Sequence, residues 1–213
     1  MAANTSSGQT STPSVISIQD LSTRCSISVE GQKCAVETAG VIRSPENAPR
    51  LYFQILKDAD EGWTMGSVVL QPAGDGHVRP LLSELQEHVW GADVFQTQSP
   101  DGLLLVLQAT EVGSAYEDAS NVYLRVSENW RQINTRGWTL GGDDVPTGLN
   151  VSRGWNYDWS NLSATTQLYR PEDGNCCPTG GTIRAHFSIN DDQLVLLKTE
   201  LLPEHAEMVP APH

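Results

Sequence analysis

Thr182-Ile183-Arg184-Ala185-His186-Phe187-Ser188-Ile189, the turn Asn190-Asp191-Asp192 and then Leu194 to Glu200 form the stretch that decides the fold class. Ile183, Ala185, Phe187 and Ile189 alternate with Arg184, His186 and Ser188. A period of two puts successive side chains on opposite faces of a strand, so this is one apolar and one polar face. The acidic turn followed by a second apolar run makes an antiparallel hairpin. The same signature recurs upstream. Leu51–Leu56, Trp63–Leu70, Val94–Gln98, Leu103–Ala109, Val122–Val126, Trp130–Asn134 and Thr165–Arg170 all read as strands. Turns at Asp58-Ala59-Asp60-Glu61-Gly62, Pro72-Ala73-Gly74-Asp75-Gly76 and Ser99-Pro100-Asp101-Gly102 separate them. The chain is therefore mainly β, an antiparallel sheet or meander with sandwich- or barrel-like closure. One exception is expected. Leu81, Leu82, Leu85 and Val89 recur at spacings of three to four between Pro80 and Gly91, which predicts one amphipathic helix near residues 80–90.

Just before that hairpin lies Asp173-Gly174-Asn175-Cys176-Cys177-Pro178-Thr179-Gly180-Gly181. Adjacent Cα atoms are about 3.8 Å apart, less than the roughly 4.4 to 6.8 Å usual for a disulfide. A bond between Cys176 and Cys177 therefore requires a turn, and the flanking Gly, Asn and Pro residues are turn formers. The other two cysteines, Cys25 and Cys34, flank a turn signal at Glu30-Gly31-Gln32-Lys33. A hairpin there, with Cys25, Ile27 and Val29 on one face, would bring them near each other. The favoured pairing is Cys25–Cys34 with Cys176–Cys177. The alternative has the first two cysteines each reaching one of the second pair.

The chain has 213 residues and a formal charge of −13, from 26 acidic and 13 basic residues, ten of the latter Arg and three Lys. Such a surface repels phosphate backbones and anionic lipid, so no nucleic-acid partner is expected. No apolar run approaches the roughly 18 residues of a membrane helix, and no membrane insertion is expected. Residues 1–14, rich in Ser and Thr, read as a flexible leader rather than an intact signal peptide. Residues 15–202 read as a single β-rich domain and 203–213 as a disordered tail. An even cysteine count in an acidic, Lys-poor chain favours a periplasmic or extracellular location.

The order of landmarks from about Val78 to Glu200 resembles a family of uncharacterised secreted or periplasmic bacterial proteins. It is carried by Asp101-Gly102-Leu103-Leu104, Asn129-Trp130-Arg131-Gln132-Ile133, Gly137-Trp138, Val145-Pro146-Thr147-Gly148-Leu149, Arg153-Gly154 with Asp158, Leu168-Tyr169-Arg170, and above all Asn175-Cys176-Cys177-Pro178-Thr179-Gly180-Gly181. The resemblance implies an exported β-rich module over residues 77–202; the segment before it, residues 15–76, lies outside the resemblance and reads as N-terminal hairpins from its own alternation and turns. It implies no established activity.

Five histidines, His77, His88, His186, His205 and His213, form no pair with metal-ligand spacing. No nucleophile elbow, phosphate loop or dinucleotide fingerprint occurs, and no cofactor or metal is implied. Acidic turns at Asp58/Asp60/Glu61, Asp143-Asp144 and Asp191-Asp192 lack EF-hand spacing. The candidate binding surface is aromatic. Trp155, Tyr157 and Trp159, with Asp158 between them and with Trp130 and Trp138 upstream, combine large apolar area with polar handles. The competing reading is that these rings pack the core. The expected function is an exported, non-catalytic cell-envelope domain that binds a protein or glycan partner. The alternatives are a hydrolase with acidic catalysts such as Asp158 and Glu172, or a structural subunit of an extracellular assembly. Oligomeric state is left open.

Overall fold

A computed structural model describes residues 11–29, 32–61, 64–85, 89–111, 120–141, 144–151, 154–174 and 176–202. In chain order the strands are β1 (Ser11–Pro13), β2 (Ile16–Ser17), β3 (Ile27–Val29), β4 (Cys34–Val41), β5 (Tyr52–Asp58), β6 (Thr64–Gly74), β7 (His77–Leu85) and β8 (Val89–Ser99). They continue as β9 (Gly102–Glu111), β10 (Asn121–Val126), β11 (Asn129–Ile133), β12 (Asn150–Val151), β13 (Asn156–Asp158), β14 (Ser163–Tyr169), β15 (Thr182–Asn190) and β16 (Gln193–Leu202). A single 3-10 turn, Ile18–Asp20, is the only helical element among the described residues. The protein is mainly β, with antiparallel sheets, as the alternating patterns require.

The chain divides into two compact units. The first holds Met1–Gln96, Leu105–Val112 and Ala119–Asn121; the second holds Thr97–Leu104, Gly113–Asp118 and Val122–His213. A further four-stranded sheet has the order β11-β10-β9-β8.

The first unit is built on a five-stranded sheet of order β2-β7-β6-β5-β4. Its centre is buried on both faces: Ile55 and Leu56 on β5, and Val68, Val69 and Leu70 on β6, are all at most 2% exposed. One face carries a cluster of Ile16, Leu21, Ile27, Val29, Tyr52, Leu56, Val68, Leu70, Val78 and Leu85. Gln54 is fully buried on the same strand as Tyr52 and Leu56, at period two from each. Its side chain satisfies three backbone groups of the loop that follows the 3-10 turn. Oε1 accepts from Ser26 N–H at 2.9 Å, and Nε2 donates to Leu21 C=O at 2.6 Å and Arg24 C=O at 2.8 Å. Buried backbone groups outside a ladder need such partners. Cys25, in the middle of this loop, is bonded to Cys34 at the start of β4, with Cα atoms 6.4 Å apart. The bridge packs against the apolar cluster. Gln96 plays a similar part for another loop, donating to Ser44 Oγ and Pro49 C=O.

Three expectations change here. The helix expected near residues 80–90 is not formed. Pro80 to Leu85 lie in β7, Val89 and Trp90 in β8, and residues 86–88 fall outside the described residues. The reason is tertiary. The buried Val68-Val69-Leu70 run of β6 needs a ladder partner on each side, and β7 supplies the second. Pro80, which has no N–H to donate, sits at the register shift opposite Val69/Leu70, where a strand tolerates it. Glu30 and Gly31, the centre of the hairpin expected around residues 30–33, lie outside the described residues, and the strands on either side of them do not pair with each other. β3 pairs with β1 and β4 pairs with β5, although the Cys25–Cys34 bond that hairpin was meant to permit is present. Finally, the expected leader is ordered strand from Ser11, where Ser11–Pro13 pairs with Val29–Ile27; residues 1–10 and the tail 203–213 lie outside the described residues.

The second unit holds a sheet of order β12-β14-β15-β16, with β13 also paired to β14. Ile183, Ala185 and Phe187 of β15 are buried at 1, 0 and 5% exposure, the alternation read from the sequence.

Gln54→Ala would leave the Ser26 N–H and the Leu21 C=O buried without partners and take the side-chain donor from the part-buried Arg24 C=O. It should lower unfolding free energy by about 2 to 4 kcal/mol, measured by urea denaturation. A loss below about 1 kcal/mol would show that the loop is held without it.

Candidate functional site

β13 and β14 form a tight hairpin with register Asn156↔Thr165, Tyr157↔Ala164 and Asp158↔Ser163. Trp155, Tyr157 and Trp159 follow one another at period two along this arm. Tyr157 and Trp159 stack with centroids 4.6 Å apart and planes 3° apart. Trp138 arrives from the segment after β11 and stands edge-on to Trp155 at 5.0 Å and to Phe187 of β15 at 4.8 Å. Its indole N–H donates to the Tyr157 hydroxyl at 3.2 Å. Tyr157 also reaches Phe187, at 6.1 Å. The result is a layered aromatic cluster. Trp159 and Phe187 are its interior, each 5% exposed, while Trp138, Trp155 and Tyr157 are half-buried and form its solvent side.

Of the residues singled out from sequence, Trp138, Trp155, Tyr157 and Trp159 come together. Trp130 is half-buried on β11 opposite Arg125, and the ring contacts of the cluster do not run through it. Trp159 fits the packing reading better than the surface one. Phe187 was not foreseen as part of the site. Its place on the buried side of a clean alternation was the available signal, but nothing in the sequence says which strand lies over which ring.

Asp158 closes the turn of the hairpin. Oδ1 accepts from Ser160 N–H at 3.1 Å, Ser160 Oγ at 2.5 Å and Asn161 N–H at 3.3 Å, and Oδ2 accepts from Asn161 Nδ2 at 2.6 Å. Partial burial alone would raise its pKa, but the hydrogen bonds from Ser160 and Asn161 outweigh it and hold the carboxyl below the usual aspartate range. A carboxylate held ionised and saturated with donors is a turn lock and a poor general acid. Glu172 lies exposed in the turn after Arg170.

The cysteine loop leaves β14 after Tyr169 and returns at Thr182, the far end of β14 from the Asp158 turn. β14 has seven residues, so the two lie about 20 Å apart along the strand. Cys176 and Cys177 are bonded to each other and exposed, their Cα atoms 3.8 Å apart. Cys177 N–H donates to Gly174 C=O at 3.0 Å, which supplies the turn the sequence required. Asp173 clasps the base of the loop. It accepts from Arg170 N–H at 2.8 Å, from Thr179 N–H at 2.8 Å and from the Thr179 hydroxyl at 2.7 Å. These bonds, the one from Arg170 N–H first, hold its carboxyl below the ordinary aspartate range. Gly180 then passes so close to β14 that a Cβ there would stand 2.7 Å from Leu168 C=O. All four cysteines are thus paired within their own unit, and the loop is a closed clip.

His186 is half-buried on the outer face of β15, with Nε2 3.1 Å from Glu200 Oε1. Glu200 also faces Arg184 at 3.4 Å and Lys198 at 3.9 Å. His186 first, then Lys198 and Arg184, hold its carboxyl below the usual glutamate range against desolvation. His77 contacts Asp75 C=O within its own turn, and His88, His205 and His213 lie outside the described residues. In the first unit, a cavity of about 10 Å³ lined by Gly66, Ser67, Glu84, Ala92 and Leu107 has room for about one water, too little for a small-molecule site. No helix among the described residues is long and apolar enough to cross a membrane.

No protein-family model, curated protein or solved structure matches the chain.

Two outcomes test this geometry. Trp159→Ala should cost about 3 to 5 kcal/mol in chemical denaturation, because the ring is interior; a cost under about 1 kcal/mol would put it at the surface. The Asp173 clasp should be fully formed at neutral pH and be lost as pH falls through its lowered native pKa, since protonation removes the acceptor. In an NMR acid titration the Arg170 and Thr179 amide protons should move together, with a midpoint below that of an exposed aspartate. An ordinary midpoint, or the same transition in Asp173→Asn, would contradict the clasp.

Proposed function

We propose that this chain is an exported, non-catalytic cell-envelope domain that binds a protein or glycan partner through the Trp138/Trp155/Tyr157 face. The supporting observation is the cluster itself. Three half-buried rings are fixed by a Trp159–Tyr157 stack, an indole-to-hydroxyl hydrogen bond from Trp138 to Tyr157, and edge contacts of Trp138 with Phe187 and Trp155. Rings held in place from below lose little freedom on binding, which is the property of an anchor. Flat apolar faces with polar edges suit both sugar rings and the apolar side chains of a protein. Export is supported by the pairing of every cysteine, which an oxidising compartment permits, and by the −13 charge, which disfavours intracellular polyanions. The Asn175-Cys176-Cys177-Pro178-Thr179-Gly180-Gly181 run supports placing the chain with the secreted or periplasmic bacterial family it resembles. The hydrolase alternative loses ground because the Asp158 carboxylate is committed to its own turn.

Trp155→Ala is the direct test, because this ring is on the solvent side and Trp159 is not. Immobilised protein should recover its partner from envelope proteins and soluble polysaccharides at least about tenfold less well when Trp155 is absent. Near-UV circular dichroism of the variant should still report a folded chain. Recovery equal to that of the unmodified protein would contradict the assignment.

A further inference from the structure

The two disulfides of this chain differ in spacing, exposure and setting. Cys25 and Cys34 are half-buried and pack against the apolar cluster of the first unit, with Cα atoms 6.4 Å apart, inside the range a disulfide prefers. The residues on either side of Cys25 are held by Gln54. Cys176 and Cys177 are both exposed, and their Cα atoms, one peptide apart, are 3.8 Å from each other. The usual range begins at roughly 4.4 Å, and departures from it make the bond easier to reduce. Exposure also admits the thiolate that attacks a disulfide sulfur. Gly174 puts no side chain in its way: even a Cβ built there would stand 3.9 Å from Cys176 Sγ.

The bond adds little to a loop that is already fastened. A crosslink stabilises a fold chiefly by restricting the unfolded chain, and the restriction grows with the length of loop it closes. Adjacent cysteines close the shortest loop there is. The base of this loop is held without sulfur. Asp173 accepts from Arg170 N–H, Thr179 N–H and the Thr179 hydroxyl. Beyond it, Gly180 N–H donates to Leu168 C=O and Leu168 N–H donates to Gly181 C=O, both at 2.9 Å. Opening the S–S bond therefore leaves both ends of the loop in place. We propose that Cys176–Cys177 is a reversible redox site that takes two electrons from a dithiol. A thiolate of the donor attacks one sulfur of the pair. The S–S bond breaks, a mixed disulfide forms, and the other cysteine leaves as a thiolate and takes up a proton. The donor's second thiolate then attacks the donor sulfur of the mixed disulfide and expels the remaining cysteine, which is protonated in turn. Two thiols at Cys176 and Cys177 and one disulfide in the donor result, so two electrons and two protons have moved. Reoxidation is the same exchange run backwards with a disulfide. The Asp173 clasp persists in both states and confines the change to the loop between Asp173 and Thr179. Exposed, readily reduced disulfides are the ones that serve as labile or regulatory bonds, whereas resistant ones are structural; Cys25–Cys34 is the structural member of this pair.

Equilibration of the whole oxidised chain with graded dithiothreitol, followed by alkylation and peptide mapping, tests this. Cys176 and Cys177 should be half alkylated at a dithiothreitol concentration at least about tenfold below that which opens Cys25–Cys34. Near-UV circular dichroism should keep its oxidised form while only the Cys176–Cys177 bond is open, and excess oxidised dithiothreitol should close that bond again. Cys176→Ser/Cys177→Ser should unfold at the same urea concentration as the unmodified chain, and Cys25→Ser/Cys34→Ser at a lower one. Reduced thioredoxin in place of dithiothreitol identifies the source of the electrons. Opening by both donors supports a protein dithiol, and opening by dithiothreitol alone supports a small one. Opening of Cys25–Cys34 first or at the same concentration, or opening of Cys176–Cys177 only together with loss of the near-UV signal, would overturn the proposal.

Discussion

Five register pairs between β14 and β15, from Ser163↔His186 to Gln167↔Thr182, are the constraint on which the second unit depends. At one end they set the Asp158 turn and bring Phe187 under Trp138 and Tyr157. At the other they fix the distance that the cysteine loop spans, and Asp173 and Gly180 adapt to it. Outboard they hold β15 so that its buried residues face the core and its charged residues face Glu200 on β16. A slip of one residue would exchange the two faces. Phe187 would leave the aromatic cluster, and Arg184 and His186 would turn inward. The site, the clip and the charged face are therefore consequences of one register.

The first unit depends on a polar constraint of the same kind. Its sheet is buried on both faces at β5 and β6, yet one fully buried position is Gln54. An apolar residue there would strand the backbone groups of Leu21, Arg24 and Ser26, which lie in irregular chain outside any ladder. The Cys25–Cys34 bond fastens the same loop by covalent means. In each unit a saturated polar group and a disulfide secure one segment that the ladders do not reach.

Much of this was legible in the sequence because period-two alternation is a local property. The last hairpin, the strands around Leu51–Leu56 and Leu103–Ala109, and the turn residues all follow from it. The 80–90 segment misled because Leu81, Leu82 and Leu85 satisfy a helical spacing over a stretch too short to settle the period. What decided it, the need of β6 for a second neighbour, is a contact with residues ten or more positions away. The hairpin at residues 30–33 failed for a like reason: β3 and β4 had better partners in β1 and β5. In the site, the Trp155/Tyr157/Trp159 alternation was readable, whereas the burial of Trp159 and the arrival of Phe187 depend on how β13 and β15 lie against β14. The roles of Gln54 and Asp173 rest on side-chain bonds to loops, for which a sequence carries little signal.

The central claim is that each unit is closed by its own disulfide, on which the proposal of export rests. Non-reducing peptide mapping by mass spectrometry of the natively produced protein tests it most directly. The account predicts one linked species joining the Cys25 and Cys34 peptides, and a single peptide holding Cys176 and Cys177 that is lighter by two hydrogen atoms than its reduced form. Linkage between either of the first two cysteines and either of the second, or free thiols at all four, would contradict it.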